Sequence, residues 1–224
     1  MGPLAELPAP GLPDRPLLVV PLGSIEQHGP HLPVSTDLIV AEAVAAALAD
    51  RLGAVLAPGL PVGASGEHRG FAGVLSIGTE ALTTVLVELQ RSAADWSAGT
   101  VLVNGHGGNA EAVAAAVAQL QHEGHRVLAV PCATRGADAH AGRTETSLLL
   151  HLRPDMVGPE RPIGSTAPIQ DLLPALRAGG VAAVSPSGVL GDARGASAEE
   201  GARILGDMVD AAESACRGLV AAVR

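Results

Sequence analysis

The sequence predicts an α/β fold with a largely parallel sheet that helices cover on both faces. Short apolar runs, typical of buried strands, alternate with longer Ala-rich segments along the 224 residues. Strands that alternate with helices in this way form parallel sheets. A chain of this length, with 47% hydrophobic residues, fits one large domain better than two.

The first half of the chain begins with an irregular segment. Residues 1–16 contain five prolines and are predicted to form a Pro-rich N-terminal arm. The uninterrupted apolar run 17–22 predicts the first strand. An Ala-rich segment at 37–52 predicts the first helix, with Thr36 as its N-cap. A short apolar run at 54–57 predicts the second strand, and a Gly-rich loop follows it.

The second half repeats the alternation of helix and strand. Apolar runs at 101–103 and 126–130 predict two further strands. The remaining predicted helices share helix-forming composition and recognisable end signals. They are 79–98 capped by Thr79, an Ala-rich helix ending near 121, 144–152 ended by Pro154, and a C-terminal helix opened by a capping box at 197–200.

Composition excludes several classes of function. The net charge of −9 and the pI near 5.3 argue against nucleic acid as a partner, because phosphate binding requires a basic surface. No basic and apolar leader opens the chain, and no uncharged apolar run reaches about 18 residues. We therefore expect neither a signal peptide nor a membrane span. Cys132 and Cys216 form no CxxC pair, which predicts free thiols and a cytoplasmic location.

The most informative motif follows the first predicted strand. Glu26 and His28 lie two residues apart, and Asp37 follows nine residues after His28. Residues i and i+2 of an extended segment point to the same face, so Glu26 and His28 can converge on one site. Carboxylate and imidazole groups suit Zn, Mn or Fe, and such an ion can generate hydroxide at neutral pH. The motif therefore predicts a hydrolase.

A second candidate site residue follows another strand. His106 lies in a Gly-rich loop directly after the strand at 101–103. Ligands of open α/β sheets bind outside the carboxyl ends of the strands, so we expect His106 to lie near Glu26 and His28. Asn104 and Asn109 flank this loop, and we expect them either to hold it or to orient substrate.

Two further candidates lie downstream. Glu145 falls in the first turn of a predicted helix, where a carboxylate could act as a ligand, and His140 precedes it on a loop and could transfer a proton. Each residue also has an ordinary structural explanation: Asp37 and Glu145 favour helix N-termini, and His106 could be a turn residue. The joint pattern is more specific than its parts.

The motifs together resemble the creatininase family of metal-dependent amidohydrolases. The resemblance covers about residues 17–205 and rests on four ordered motifs, at 23–37, 66–68, 104–109 and 140–147. It implies a three-layer αβα sandwich formed as a single domain by residues 17–224. It also implies two divalent metal ions per subunit and a homo-oligomer, a hexamer or similar.

The same resemblance implies a ligand set. Glu26, Asp37 and His106 would hold one ion, and His28 would share Asp37 for the other. Creatinine amidohydrolases supply a further glutamate two residues after the histidine of this loop, and here that position is Gly108. We expect Glu145 to supply the missing carboxylate. Tryptophans that stack on creatinine are also absent from the corresponding loops, so creatinine is not the expected substrate.

Within the family, the segments 66–78 and 140–147 resemble a branch of peptidases. These enzymes cleave a modified ribosomal precursor peptide and release its C-terminal, cross-linked Val-Tyr-derived unit. The resulting hypothesis is an attack of hydroxide on the scissile amide, with His140 protonating the departing amine. Glu67 and His68 would line the pocket, and Arg143 would pair with a substrate carboxylate.

Two alternatives stay open at this level. A related activity is the hydrolysis of a formamide in flavin or deazaflavin biosynthesis. A different class of function is a non-catalytic, metal-binding scaffold protein. An open, Gly-lined histidine loop is unlike a closed structural metal site, which favours an enzyme. The ligand types do not distinguish among Fe, Zn and Mn.

Overall fold

A computed structural model describes residues 3–223, without the side chain of the last of these. Its sheet has four strands in the order β2-β1-β3-β4, and all neighbours are parallel. The strands are β1 (Leu17–Leu22), β2 (Val55–Leu56), β3 (Gly99–Asn104) and β4 (Val127–Pro131). The helices are α1 (Thr36–Leu52), α2 (Thr79–Ala93), α3 (Ala110–His122), α4 (Arg143–Leu152), α5 (Ile169–Gly179) and α6 (Ala198–Val223).

Helices cover the sheet on both faces, because successive strand side chains point to opposite sides. Leu17 and Val19 of β1 pack in one apolar cluster with α1, α4 and α6. Leu18, Val20 and Leu22 of the same strand pack in a second cluster with α2 and α3. The predicted three-layer αβα sandwich with a parallel sheet is therefore confirmed.

The register of the central strands aligns their carboxyl ends. Leu22 of β1 lies opposite Asn104 of β3, and the amide of Gly105 donates a hydrogen bond of 2.8 Å to the carbonyl of Leu22. The loops that follow these two strands thus start at the same edge of the sheet. Before β1, residues 3–16 contain two short 3₁₀ turns, Leu4–Glu6 and Ala9–Gly11.

Several predicted element ends are wrong. Thr36 is the first residue of α1, and its hydroxyl donates to the carbonyl of Pro33 at 2.7 Å instead of capping the helix. Thr79 likewise lies inside α2, after Gly78, whose φ of 79° favours glycine. Helix α2 ends at Ala93, five residues before the predicted end. Of the predicted capping box, the Ser197 hydroxyl does accept from the amide of Glu200, at 3.2 Å.

Helix α5 was not predicted, because Pro174 interrupts its sequence. It is nevertheless amphipathic, and none of its residues is buried. Among residues 3–223, no helix is both long enough and apolar enough to cross a bilayer.

Candidate metal centre

Five of the predicted site residues meet at the carboxyl edge of the sheet. Three come from loops that follow strands, and two from the first turns of helices. They are Glu26 and His28 after β1, His106 after β3, Asp37 in α1 and Glu145 in α4. Gly105 makes this approach possible, because a Cβ there would overlap the backbone carbonyl of residue 37. The parallel sheet therefore collects residues that are far apart in sequence.

Glu26, Asp37 and His106 form the first group of converging atoms. His106 Nδ1 lies 3.2 Å from Glu26 Oε2 and 3.3 Å from Asp37 Oδ2. All three side chains are buried. Nδ1 of His106 thus lies close to one oxygen of each of two buried carboxylates.

His28 and Glu145 form a second group on the other side of Asp37. His28 Nε2 lies 3.1 Å from Asp37 Oδ1 and 3.7 Å from Glu145 Oε2. The two oxygens of Asp37 therefore face different histidines, Oδ1 towards His28 and Oδ2 towards His106. Asp37 therefore lies between the two groups and contacts a histidine of each.

His68 and His140 enlarge the cluster beyond the predicted ligand set. His68 Nε2 lies 3.1 Å from Glu26 Oε1, and His140 Nδ1 lies 3.6 Å from the same oxygen. Three overlapping triads have potential ligand atoms within 4.8 Å of one another. They are Glu26 with His28 and Asp37, His28 with His140 and Glu145, and Glu26 with His68 and His140.

The electrostatics of the cluster fit a bound cation. Burial, together with the nearby Asp37, raises the pKa of Glu26 to about 8. Burial lowers the pKa of His28, but Asp37 and Glu145 outweigh it and bring that pKa to about 9. Within residues 3–223, Glu26 Oε1 and Asp37 Oδ2 are buried without an aligned hydrogen-bond donor. Buried oxygens that lack donors suit coordination by a metal ion.

Gln27 orients the two additional histidines. The ring nitrogen Nε2 of His140 donates to the carbonyl of Gln27 at 2.7 Å. The amide nitrogen of Gln27 donates to His68 Nδ1 at 3.0 Å and to the carbonyl of Gly188 at 3.2 Å. Within residues 3–223, His140 Nδ1 therefore keeps its lone pair towards the cluster, 3.6 Å from Glu26 Oε1. Burial lowers the pKa of His140 well below its usual value, so its ring is neutral.

Asn104 and Asn109 have their amides committed to the protein. Asn104 Nδ2 donates to the carbonyl of His106 at 2.8 Å, and its Oδ1 accepts from Asn109 Nδ2 at 3.2 Å. Asn109 also accepts from the amide of Ala64 at 2.8 Å and donates to the carbonyl of Gly23 at 3.0 Å. Both side chains therefore hold the loops, which is the first of their two expected roles, and a contact with substrate stays a prediction.

Arg143 lies outside the cavity over the cluster. Its Nε donates to Glu200 Oε2 at 2.6 Å, and its side chain is 55% exposed. It lines a neighbouring cavity together with Asp138 and Asp192. A contact between Arg143 and a substrate carboxylate stays a prediction, and it would have to form beside the ion pair with Glu200, which engages one guanidinium nitrogen.

A cavity of about 680 Å³ opens above the cluster. Glu26, His106, His140 and Glu145 lie among the residues at its base. One wall is apolar and consists mainly of the inner side of α5, with Ile169, Leu173 and Leu176. Sequence reasoning missed this wall together with α5. Apolar residues three and four positions apart were the available signal, and Pro174 obscured it.

The sequence matches the creatininase family, described as creatinine amidohydrolase, over residues 5–216. It is 54% identical over 202 residues to the mycofactocin precursor peptide peptidase of Mycolicibacterium smegmatis, which covers 87% of this chain and 82% of the relative. It is 31% identical over 222 residues to the creatinine amidohydrolase of Pseudomonas putida, with 84% of each chain covered.

Solved creatininase structures share the fold. The manganese form, "Creatininase Mn", superposes with a TM-score of 0.77 and 28% identity, covering 97% of this chain and 98% of the other. A mutant creatininase described as "Zn-Zn type" gives a TM-score of 0.76 at the same identity, covering 97% of each chain. Both neighbours thus carry divalent metal in their descriptions.

Fold, cluster and relatives together define a metal-dependent hydrolase of amide bonds. The buried carboxylates and histidines lie where an α/β sheet binds its ligands, and an open cavity leads to them. The chain belongs to the creatininase family.

Proposed function

We propose that this protein is a peptidase that cleaves a mycofactocin precursor peptide and releases its C-terminal, Val-Tyr-derived unit. The relative from Mycolicibacterium smegmatis bears the name of that activity and is far more similar to this chain than the creatinine amidohydrolase is. The observation that carries the proposal is the buried cluster of carboxylates and histidines at the base of an open cavity. Neither a formamide hydrolase nor a metal-binding scaffold is favoured by these relatives.

We assign two ions to the cluster. Glu26, Asp37 and His106 would hold the first, and His28, Asp37 and Glu145 the second. Zn and Mn are supported by the creatininase structures, and Fe suits the same ligands. When bound, such ions lower the pKa of water and polarise an amide carbonyl.

His140, oriented by Gln27, is assigned the proton transfers of the reaction. His140 is neutral, and its Nδ1 faces the cluster with a free lone pair, while Gln27 holds Nε2. We assign to Nδ1 the acceptance of a proton from the attacking water. The same atom then delivers this proton to the departing amine, so that no net charge is left in the buried pocket. The expected role of His140 as an acid therefore requires that it first act as a base.

The cavity fits a peptide segment better than a small polar ring. It holds about 680 Å³, and its α5 wall presents Ile169, Leu173 and Leu176. Apolar side chains on the substrate would be desolvated against this wall. A Val-Tyr-derived unit has that character. The Arg69 and Arg177 side chains at the cavity bring positive charge near its opening.

The direct test is a cleavage assay on the metal-loaded protein. The purified protein is incubated with the modified precursor peptide, and the products are identified by mass spectrometry. We expect release of the C-terminal unit, loss of release after chelation, and recovery on adding Zn or Mn. Creatinine and a flavin-type formamide serve as competing substrates. Cleavage of either one, with the peptide left intact, would overturn the proposal.

A variant separates metal chemistry from peptide binding. Asp37→Asn removes the charge that both groups share and should lower activity by at least about a hundredfold with loss of bound metal. Glu42→Gln, on the same helix, provides a matched control with normal activity. The homo-oligomeric state and the cytoplasmic location remain predictions, and light scattering after size-exclusion chromatography measures the first.

A further inference from the structure

Glu67 lies behind one of the candidate ligands. It sits in the short 3₁₀ turn Gly66–His68, and its Oε1 is 3.2 Å from His106 Nε2. The opposite ring nitrogen, Nδ1, is the one that faces Glu26 and Asp37. Within residues 3–223 this buried nitrogen has no aligned hydrogen-bond partner, and the Glu67 carboxylate, at 3.2 Å, is the acid beside it. Glu67 thus faces the edge of the His106 ring that points away from Glu26 and Asp37.

Gly108 provides the space that the Glu67 carboxylate occupies. A Cβ at position 108 would overlap both Glu67 Oε1 and His106 Nε2. It would also lie 2.6 Å from the carbonyl oxygen of Ala64, which is backbone and cannot move away easily. A side chain at 108 and the carboxylate of Glu67 therefore exclude each other.

We infer that Glu67 is a positioning residue that takes the place vacated by the missing side chain at 108. Its carboxylate accepts the Nε2 hydrogen of His106 and so holds Nδ1, the other nitrogen, towards the ion. Carboxylates that hydrogen-bond to a ligating histidine fix its tautomer and raise its basicity. The inference rests on the proposed role of His106 as a ligand, and it assigns to Glu67 no contact with the ion.

Glu67, from the loop before α2, thus places a carboxylate beside position 108 of the loop after β3. Glu67 is two-thirds buried and adjoins the cluster, whereas most glutamates on surface turns are solvated. A solvated acid would show neither the contact nor the steric exclusion.

The test measures the binding of Zn²⁺ or Mn²⁺ alone, by competition with a chromophoric chelator, so it needs no peptide. Glu67→Ala should weaken the affinity of one ion by about 10–100-fold, the effect typical of losing such a partner. Glu67→Gln keeps an acceptor for the Nε2 hydrogen and should recover part of the loss. Glu111→Ala, which removes another acid of the same cavity, should leave the affinity unchanged.

A double-mutant cycle tests the exclusion. Gly108→Ala alone should weaken binding of the ion by crowding Glu67 and His106. In Glu67→Ala it still crowds His106 and the Ala64 carbonyl but displaces no carboxylate, so the two losses together should be smaller than their sum. Additive losses would overturn the exclusion, and wild-type affinity in Glu67→Ala would overturn the positioning role. Thermal melts of the metal-free variants check that each one folds. If Glu67→Ala does not fold, the metal affinity of Glu67→Gln tests the positioning role instead. A failed peptide assay would leave these metal affinities, and so this inference, unaffected.

Discussion

Asn109 offers the sharpest test of how the site is held together. Its side chain is fully buried and makes three hydrogen bonds. Oδ1 accepts from the amide of Ala64 at 2.8 Å, and Nδ2 donates to the carbonyl of Gly23 at 3.0 Å and to Asn104 Oδ1 at 3.2 Å. One side chain therefore ties together three loops, the loop after β1, the Gly-rich loop before α2 and the loop after β3. Each of these loops carries a member of the cluster.

Replacing Asn109 by Ala leaves two buried backbone groups, the Ala64 amide and the Gly23 carbonyl, without this partner, while Asn104 Oδ1 still accepts from the His106 amide at 3.3 Å. An unsatisfied buried group costs about 1–3 kcal/mol, so even the lower end predicts a loss of about 2 kcal/mol of unfolding free energy. That is a large fraction of the roughly 5–15 kcal/mol that stabilises a typical domain. Asn109→Asp keeps the acceptor for Ala64, but it buries a carboxyl group against the Gly23 carbonyl and Asn104 Oδ1, so it should destabilise the protein at least as much as Asn109→Ala.

The measurement is urea unfolding of the chelator-treated variants, followed by circular dichroism. Gln119→Ala removes an exposed amide from α3 and should change the unfolding free energy by less than about 0.5 kcal/mol. Metal affinity should fall in Asn109→Ala as well, because the loops that carry Glu26, His68 and His106 lose their common tie. An unchanged unfolding free energy with a raised KM for peptide would refute this reasoning and restore a substrate contact for Asn109.

Three further outcomes are expected. Leu173→Asp, on the exposed α5 wall, should raise the KM for peptide about tenfold, because roughly 1.5 kcal/mol of apolar contact is lost. An unchanged KM would show that α5 does not contact the peptide. Arg143→Ala should leave both KM and Tm nearly unchanged, because its guanidinium pairs with Glu200 at the surface, and a raised KM would return it to the substrate. In the metal-free protein, the pKa values of Glu26 (about 8) and His28 (about 9) exceed their usual 4.5 and 6.5. The folded state then holds protons more tightly than the unfolded chain, so its Tm should fall as pH rises from 6.5 to 9, whereas metal loading should reverse the trend. A metal-free Tm that rises over this range would contradict that sign.

Sequence patterns sufficed where local periodicity and sheet geometry determine position. Every residue of Leu17–Leu22 is buried, which requires helices on both faces of the sheet, and parallel strands end at one edge. Residues that directly follow β1 and β3 must therefore approach one another. That is why Glu26, His28 and His106 could be grouped from the sequence alone. Their roles as ligands stay predictions until metal binding is measured.

The remaining parts of the site depend on contacts between distant loops. Gln27 contacts His140 across 113 residues, and Arg143 contacts Glu200 across 57. No periodic pattern encodes such pairs, because the connecting loops follow no regular geometry. His68 was expected only to line the pocket, for the same reason. The sequence identified the chemical character of Arg143 and not the partner that already engages it.

The residues around the candidate ligands, and not the ligands themselves, should determine which ion and which peptide bind. Asp37, His28 and His106 form the floor of the site, and the sheet holds them in place. Any divalent ion that prefers nitrogen and oxygen ligands could bind there. Glu67 and Gly108 lie beside His106, on the side away from Glu26 and Asp37. The α5 wall lines the cavity above the cluster. A change in either one alters the affinity for the ion or for the peptide without moving the ligands. Metal affinity and peptide affinity should therefore respond to separate substitutions: Glu67→Ala should change the first and Leu173→Asp the second. If either variant changed both affinities equally, the floor and the wall would have to be treated as one coupled structure.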